Sequence, residues 1–102
     1  MTHQKTALLP LVAIQAYCQT QPIARLSVFG SALRADFSSA SDVDLLVEFQ
    51  PGAKITYFDL YYIQEALQEI IGRKVDLLTP GALSPYFRDE VMARMEILYE
   101  QR

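Results

Sequence analysis

A single cysteine, a single histidine and no tryptophan leave this 102-residue chain short of several chemistries. With only Cys18, no internal disulfide can form. With only His3 beside it, a zinc cluster of thiolates and imidazoles lacks its ligands. Basic residues are also in deficit, nine against twelve acidic, for a net charge of −3. A nucleic-acid-binding face is built from a basic patch or stripe. No basic run occurs, so direct nucleic-acid binding is not expected. No apolar run approaches the roughly 18 residues of a membrane-spanning helix. The N-terminal stretch, where Lys5 precedes Ala7–Ile14, lacks a small-residue cleavage site. A cytoplasmic protein without membrane contact is the expectation. No G-K-[ST] triplet is present, which removes the kinase-type phosphate loop. Repeats, low-complexity tracts and linkers are missing too, and the length suits one domain, 1–102.

What is there is enough apolar residue for a core: the hydrophobic fraction is 51%. Leu8, Leu11, Val12, Gln15 and Cys18 recur at helical spacing, predicting a first helix over about residues 7–20. Arg25–Phe29 reads as a buried strand that stops at Gly30. Asp42–Phe49 reads as a second, ended by Gln50-Pro51-Gly52. Leu60, Ile63, Leu67 and Ile70 step by three and four, predicting a helix from Tyr57 to Ile71 with Gly72 as its stop. Lys74–Leu78 reads as a third strand. Ser84 and Pro85 open a last helix, which the pattern carries through "FRDEVMARMEILYE". The expected class is α/β (α+β), a small mixed sheet flanked by helices. Cys18 is expected to be buried and His3 to be a loose terminal side chain. Tyr17, Tyr86 and Tyr99 are expected as core or rim aromatics. Glu65 and Glu69 belong to a solvated helix face, and Glu48 to a solvent-facing edge. Phe58 and Tyr62 fall opposite the apolar stripe of their helix, where they either form one exposed aromatic patch or are covered by loop 50–56 or the C-terminal helix.

The chemistry is concentrated in "FGSALRADFSSASDVDLLVEF", Phe29–Phe49. Alternate strand residues point to the same face, so Asp42 and Asp44 share one. Carboxylates held that close repel unless a cation joins them, and Mg²⁺ prefers hard oxygen ligands. A third carboxylate, Asp76, stands in "KVDLL". The segment between the second and third strands is long enough for a right-handed parallel crossover, which would bring Asp76 beside the first two. If the first strand is antiparallel to the second, Gly30 and Ser31 reach the same rim. Gly30 lets backbone approach a ligand, Ser31 offers a hydroxyl and an amide, and Arg34 can fork onto phosphate oxygens. Metal, amides and arginine together describe a nucleoside triphosphate site. Gly-Ser with D-x-D at this spacing arises by chance in on the order of 10⁻³ of chains this long.

"GSALRADFSSASDVDLLVEF" resembles the signature of the nucleotidyltransferase superfamily related to DNA polymerase beta, Gly-Ser, about ten residues, then D-x-D and a later strand Asp. Within it the chain is most similar to the minimal nucleotidyltransferases. It departs from their pattern after the arginine, where it has Ala35-Asp36-Phe37. The resemblance implies a polymerase-beta-like core and Mg²⁺-dependent nucleotidyl transfer, with two ions. Asp42, Asp44 and Asp76 would be metal ligands and catalytic, Gly30 and Ser31 would hold phosphates, and Arg34 would add a phosphate contact. It further implies ATP as substrate and a HEPN-domain toxin as partner, onto which AMP is transferred, this chain being the antitoxin in a homo- or hetero-oligomer. Two other readings stay open: neutralisation by occlusion without catalysis, and transfer to a small molecule.

Overall fold

The computed structural model describes residues 9–29 and 42–101. Helix α1 spans Leu11–Gln19. It begins directly after Pro10, whose missing N–H costs nothing at a helix start, so it is shorter than the 7–20 expected. Ile14 and Cys18, one turn apart, are its buried residues. Burial pushes the Cys18 thiol up to about 11, which keeps it protonated and unreactive near neutral pH.

Strand β1, Ile23–Phe29, leads to the residues before β2, Val43–Phe49. Helix α2 follows at Tyr57–Ile71. Its ends are written locally. The Thr56 backbone N–H donates to Asp59 Oδ2 at 2.8 Å, and the Asp59 N–H donates to Thr56 Oγ1 at 3.2 Å, a reciprocal capping box. Gly72 closes the helix at φ 78°, where a side chain would be strained. Strand β3, Val75–Leu78, comes next, then a 3-10 turn at Pro80–Ala82. Helix α3, Pro85–Arg94, is capped by the Ser84 hydroxyl, which accepts from the Tyr86 N–H. Strand β4, Glu96–Glu100, closes the order.

That last element corrects the sequence expectation of a helix through Glu100. Helix α3 buries none of its residues, so continuing it would remove no further apolar surface from water. As a strand, the same segment pairs antiparallel with β1 and buries Leu98. Ladder hydrogen bonds and burial outweigh helix propensity. Tyr86 departs from expectation too: on α3 it is 95% exposed, neither core nor rim.

The sheet order is β3-β2-β1-β4. β2 is antiparallel to β1 and parallel to β3, which meets both conditions on which the sequence reading gathered its acids at one rim. One face carries Leu26, Val28, Val43, Leu45, Val47 and Val75. It packs against Ile14 and Cys18 of α1 and Ile63 and Leu67 of α2. Each such aliphatic contributes about 1.5–3 kcal/mol when fully buried. Alternation sends Asp44, Leu46 and Glu48 of β2 to the other face. Both border strands are tied to helices by glutamines. Gln68 Oε1 accepts from the Val75 N–H and Gln64 Oε1 from the Leu77 N–H, each at 3.1 Å. One helical turn of about 6 Å matches a two-residue strand step of about 6.6 Å. At the opposite border, Gln15 Nε2 donates to the Leu98 carbonyl at 2.9 Å.

Candidate active site

Three elements meet at one rim of the sheet. In the parallel ladder Asp44 is the register partner of Asp76, flanked by the Val43–Val75 and Leu45–Leu77 pairs. On its other side Asp44 lies opposite Phe29, the last residue of β1. Neighbouring strands run about 4.8 Å apart, so the two carboxylates leave the same face side by side. Asp44 is half-buried and Asp76 exposed. Asp42 lies one residue before β2, exposed. The strand therefore begins one residue later than the sequence suggests.

The register brings Asp44 and Asp76 together. It does not gather the full expected triad into a preformed cage: among the described residues, no group of three His, Cys, Asp or Glu side chains is placed to hold one metal ion. A two-carboxylate rim still fits Mg²⁺. That ion demands hard oxygen donors, keeps several waters, and is commonly held by one or two carboxylates plus substrate phosphates. Gly30, Ser31 and Arg34 lie outside the described residues. Only their point of attachment is given, the end of β1 opposite Asp44.

The far end of the same face has a different character. Arg25 Nε donates to Glu48 Oε2 at 2.7 Å and Arg25 Nη2 to Glu48 Oε1 at 3.0 Å, a fork across β1 and β2. Glu100 of β4 stands 3.7 Å from the same guanidinium. The hydrogen bond to Glu48 holds the arginine pKa above its usual value. Glu48 is thus not a solvent-facing edge residue as expected. β2 is an interior strand, and a half-buried carboxylate there needs a partner. Between the two ends lie Leu46 and its cross-strand neighbour Ser27, both fully buried, with the Ser27 hydroxyl making no hydrogen bond among the described residues.

Sequence reasoning missed the two glutamines that fix the strand of Asp76. Their signal is modest: polar residues four apart, flanking an apolar stripe, on the helix that precedes the strand they bind.

A family of proteins described as nucleotidyltransferase domain matches residues 13–98. A protein of Methanocaldococcus jannaschii, named provisionally as a protein adenylyltransferase, is 36% identical over 69% of this chain and 73% of its own. The protein adenylyltransferase MntA of Thermococcus cleftensis is 30% identical over 76% of this chain and 74% of its own. Among solved structures, one described provisionally as a minimal nucleotidyltransferase superposes with a TM-score of 0.69. It is 32% identical and covers 83% of this chain and 85% of that one. The toxin–antitoxin MntA–HepT structure reaches a TM-score of 0.62 at 14% identity, over 96% of this chain and 74% of that one. At that identity the likeness speaks for the fold.

Proposed function

Since the chain belongs to the nucleotidyltransferase domain family, we propose that it is an Mg²⁺-dependent protein adenylyltransferase that moves AMP from ATP to a hydroxyl of a HEPN-domain toxin and so acts as its antitoxin. The observation that carries this reading is the register pairing of Asp44 with Asp76 on the face of the sheet opposite the one that packs against α1 and α2. The names of its relatives, protein adenylyltransferases, support a protein as acceptor. The toxin–antitoxin neighbour in fold supports a toxin as that protein and a hetero-oligomer as the working assembly.

In this reading Asp42 and Asp44 bind the cations, with Asp76 completing their site. Two Mg²⁺ ions held there would offset the charge of the triphosphate and of the oxygens that attack and leave. Gly30 and Ser31 hold the outer phosphates through amide and hydroxyl, and Arg34 forks onto their oxygens. Asp76 takes the proton of the acceptor hydroxyl. A bond forms between that oxygen and the α-phosphorus. The bond from the α-phosphorus to the bridging oxygen breaks, and pyrophosphate departs. Positioning supplies most of the acceleration, because the rim sits on two adjacent strands of a packed sheet. The setting is the cytoplasm, where ATP and Mg²⁺ are abundant.

The test is incubation with ATP labelled at the α-phosphate, Mg²⁺ and the HEPN-domain protein. Label on the toxin that survives a denaturing gel, and is lost with Asp44→Asn, is the expected result. Label from the γ-phosphate instead would mean phosphoryl transfer. A stable but unlabelled complex would mean neutralisation by occlusion.

A further inference from the structure

The outer face of α2 carries two properties that the fold does not use. The first is aromatic. Tyr57, Phe58, Tyr61 and Tyr62 are 89%, 74%, 55% and 65% exposed, and the four rings line one continuous surface. Tyr61 and Tyr62 meet edge to face, with centroids 5.8 Å apart. Such rings bury large areas when covered, and a clustered apolar patch rimmed by polar residues marks an interaction site.

The second property is charge. The helix contains Asp59, Glu65 and Glu69 and no lysine or arginine. With these three set aside, nine acidic and nine basic residues remain, so α2 alone accounts for the whole net charge of −3. Asp59 is consumed by the capping box. Glu65 and Glu69 continue the exposed face one and two turns beyond Tyr61 and Tyr62. They stand toward the helix C-terminus, where the dipole disfavours anions. Among the described residues no ion pair reaches either of them.

We infer that this face is the docking surface for a protein partner presenting apolar side chains rimmed by lysine or arginine. Charge selects that occupant. A second copy would bring its own acidic α2 and an otherwise balanced surface. Nucleic acid and anionic membrane would be repelled. The location is consistent with docking that leaves chemistry free. The rings begin where α2 follows the end of β2, whereas Asp44 and Asp76 lie near the starts of their strands and on the face opposite α1 and α2. A partner held there leaves the carboxylate rim open. The inference goes beyond the proposed function, because it holds whether or not nucleotide is transferred.

The probe is an amphipathic helical peptide of leucine and lysine, with its leucine–glutamate counterpart as control, titrated into the full chain by calorimetry. The lysine peptide should bind and the glutamate peptide should not, with affinity falling as salt rises. Phe58→Ser with Tyr62→Ser, and separately Glu65→Lys with Glu69→Lys, should each weaken binding about tenfold or more. Circular dichroism melts should match the parent for the aromatic variant and stay within a few degrees for the charge variant, where Glu65 gives up one exposed hydrogen bond from Gln68. Equal binding of the two peptides, or unchanged affinity in either variant, overturns the inference. So does a wild-type dimer in sedimentation that the aromatic variant dissolves, which would assign the face to a second copy. ATP binding with Mg²⁺ is measured on the same samples. Its loss in the wild type would sink the transferase reading and leave the docking surface standing.

Discussion

Asp44 and Glu48 stand on one strand and on one face, four residues apart, yet the sheet treats them oppositely. Glu48 has a cation as its cross-strand neighbour. Arg25 forks onto it at 2.7 and 3.0 Å, and the side chains are only 29% and 23% exposed. Asp44 has Phe29 on one side and another carboxylate, Asp76, on the other. The first arrangement completes itself and serves the fold. The second places like charges in register, an arrangement that a bound cation would stabilise. Identity of the side chain decides little here; the neighbour across the ladder separates an acid set beside an arginine from an acid set beside another acid.

The largest effects are expected at the acidic end. Asp44→Asn and Asp76→Asn should each lower transfer by more than about 1,000-fold, the several kcal/mol that a metal clamp supplies. Melting temperature without Mg²⁺ should hold or rise as like charges are relieved. Near-wild-type label on the toxin from either variant would place the chemistry elsewhere. Next comes a substitution that erases the contrast. Phe29→Arg places a cation across the ladder from Asp44 and close to the Asp44–Asp76 pair. Thermal shift assays should then show the Mg²⁺- and ATP-dependent rise in melting temperature abolished, and an undiminished rise would refute the argument.

At the paired end the expected change is in stability rather than activity. Glu48→Gln should cost about 1 kcal/mol, a partly exposed pair being screened by solvent. That is a fall of roughly 4–8 °C in melting temperature for a chain of this size. Transfer should stay within about twofold, since no transition-state contact is removed. The smallest effect is expected midway. Ser27 lies opposite Leu46 between the two acids and buries a hydroxyl that bonds to none of the described residues. An unpaired buried hydroxyl costs about 1–3 kcal/mol, so Ser27→Ala should be neutral or slightly stabilising in urea unfolding. A marked loss would reveal a partner for that hydroxyl.

Much of this arrangement is legible in the sequence because its causes are local. The D-x-D spacing and the lone Asp of "VDLL" announce acids on strands. The capped helix between them has the length of a parallel crossover, and the register of Asp44 with Asp76 follows. The apolar stripe of α2 and the exposure of Phe58 and Tyr62 are also readable from a 3.6-residue period. Strand β4 is not. "EILYE" carries helix and strand signals of similar weight, and the choice is made by the open edge of β1, a partner far off in sequence. The roles of Gln64 and Gln68 are hidden for the same reason. A glutamine on a helix reads as surface until the strand beside it is placed. The phosphate-side residues Gly30, Ser31 and Arg34 keep their sequence assignment as a proposal.

The two glutamines bear on a hazard of placing the proposed site at a border. β3 is a four-residue strand at the outside of the sheet. Such edges invite strand addition by other chains, and short ones slide. A slip by a single residue would turn Asp76 toward the face packed by α1 and α2 and put Leu77 in its place beside Asp44. With the outward amides of Val75 and Leu77 already engaged by Gln68 and Gln64, a sliding strand would forfeit both bonds at once. The same pair also denies a passing strand its template, so one device guards this border against aggregation and against misregistration.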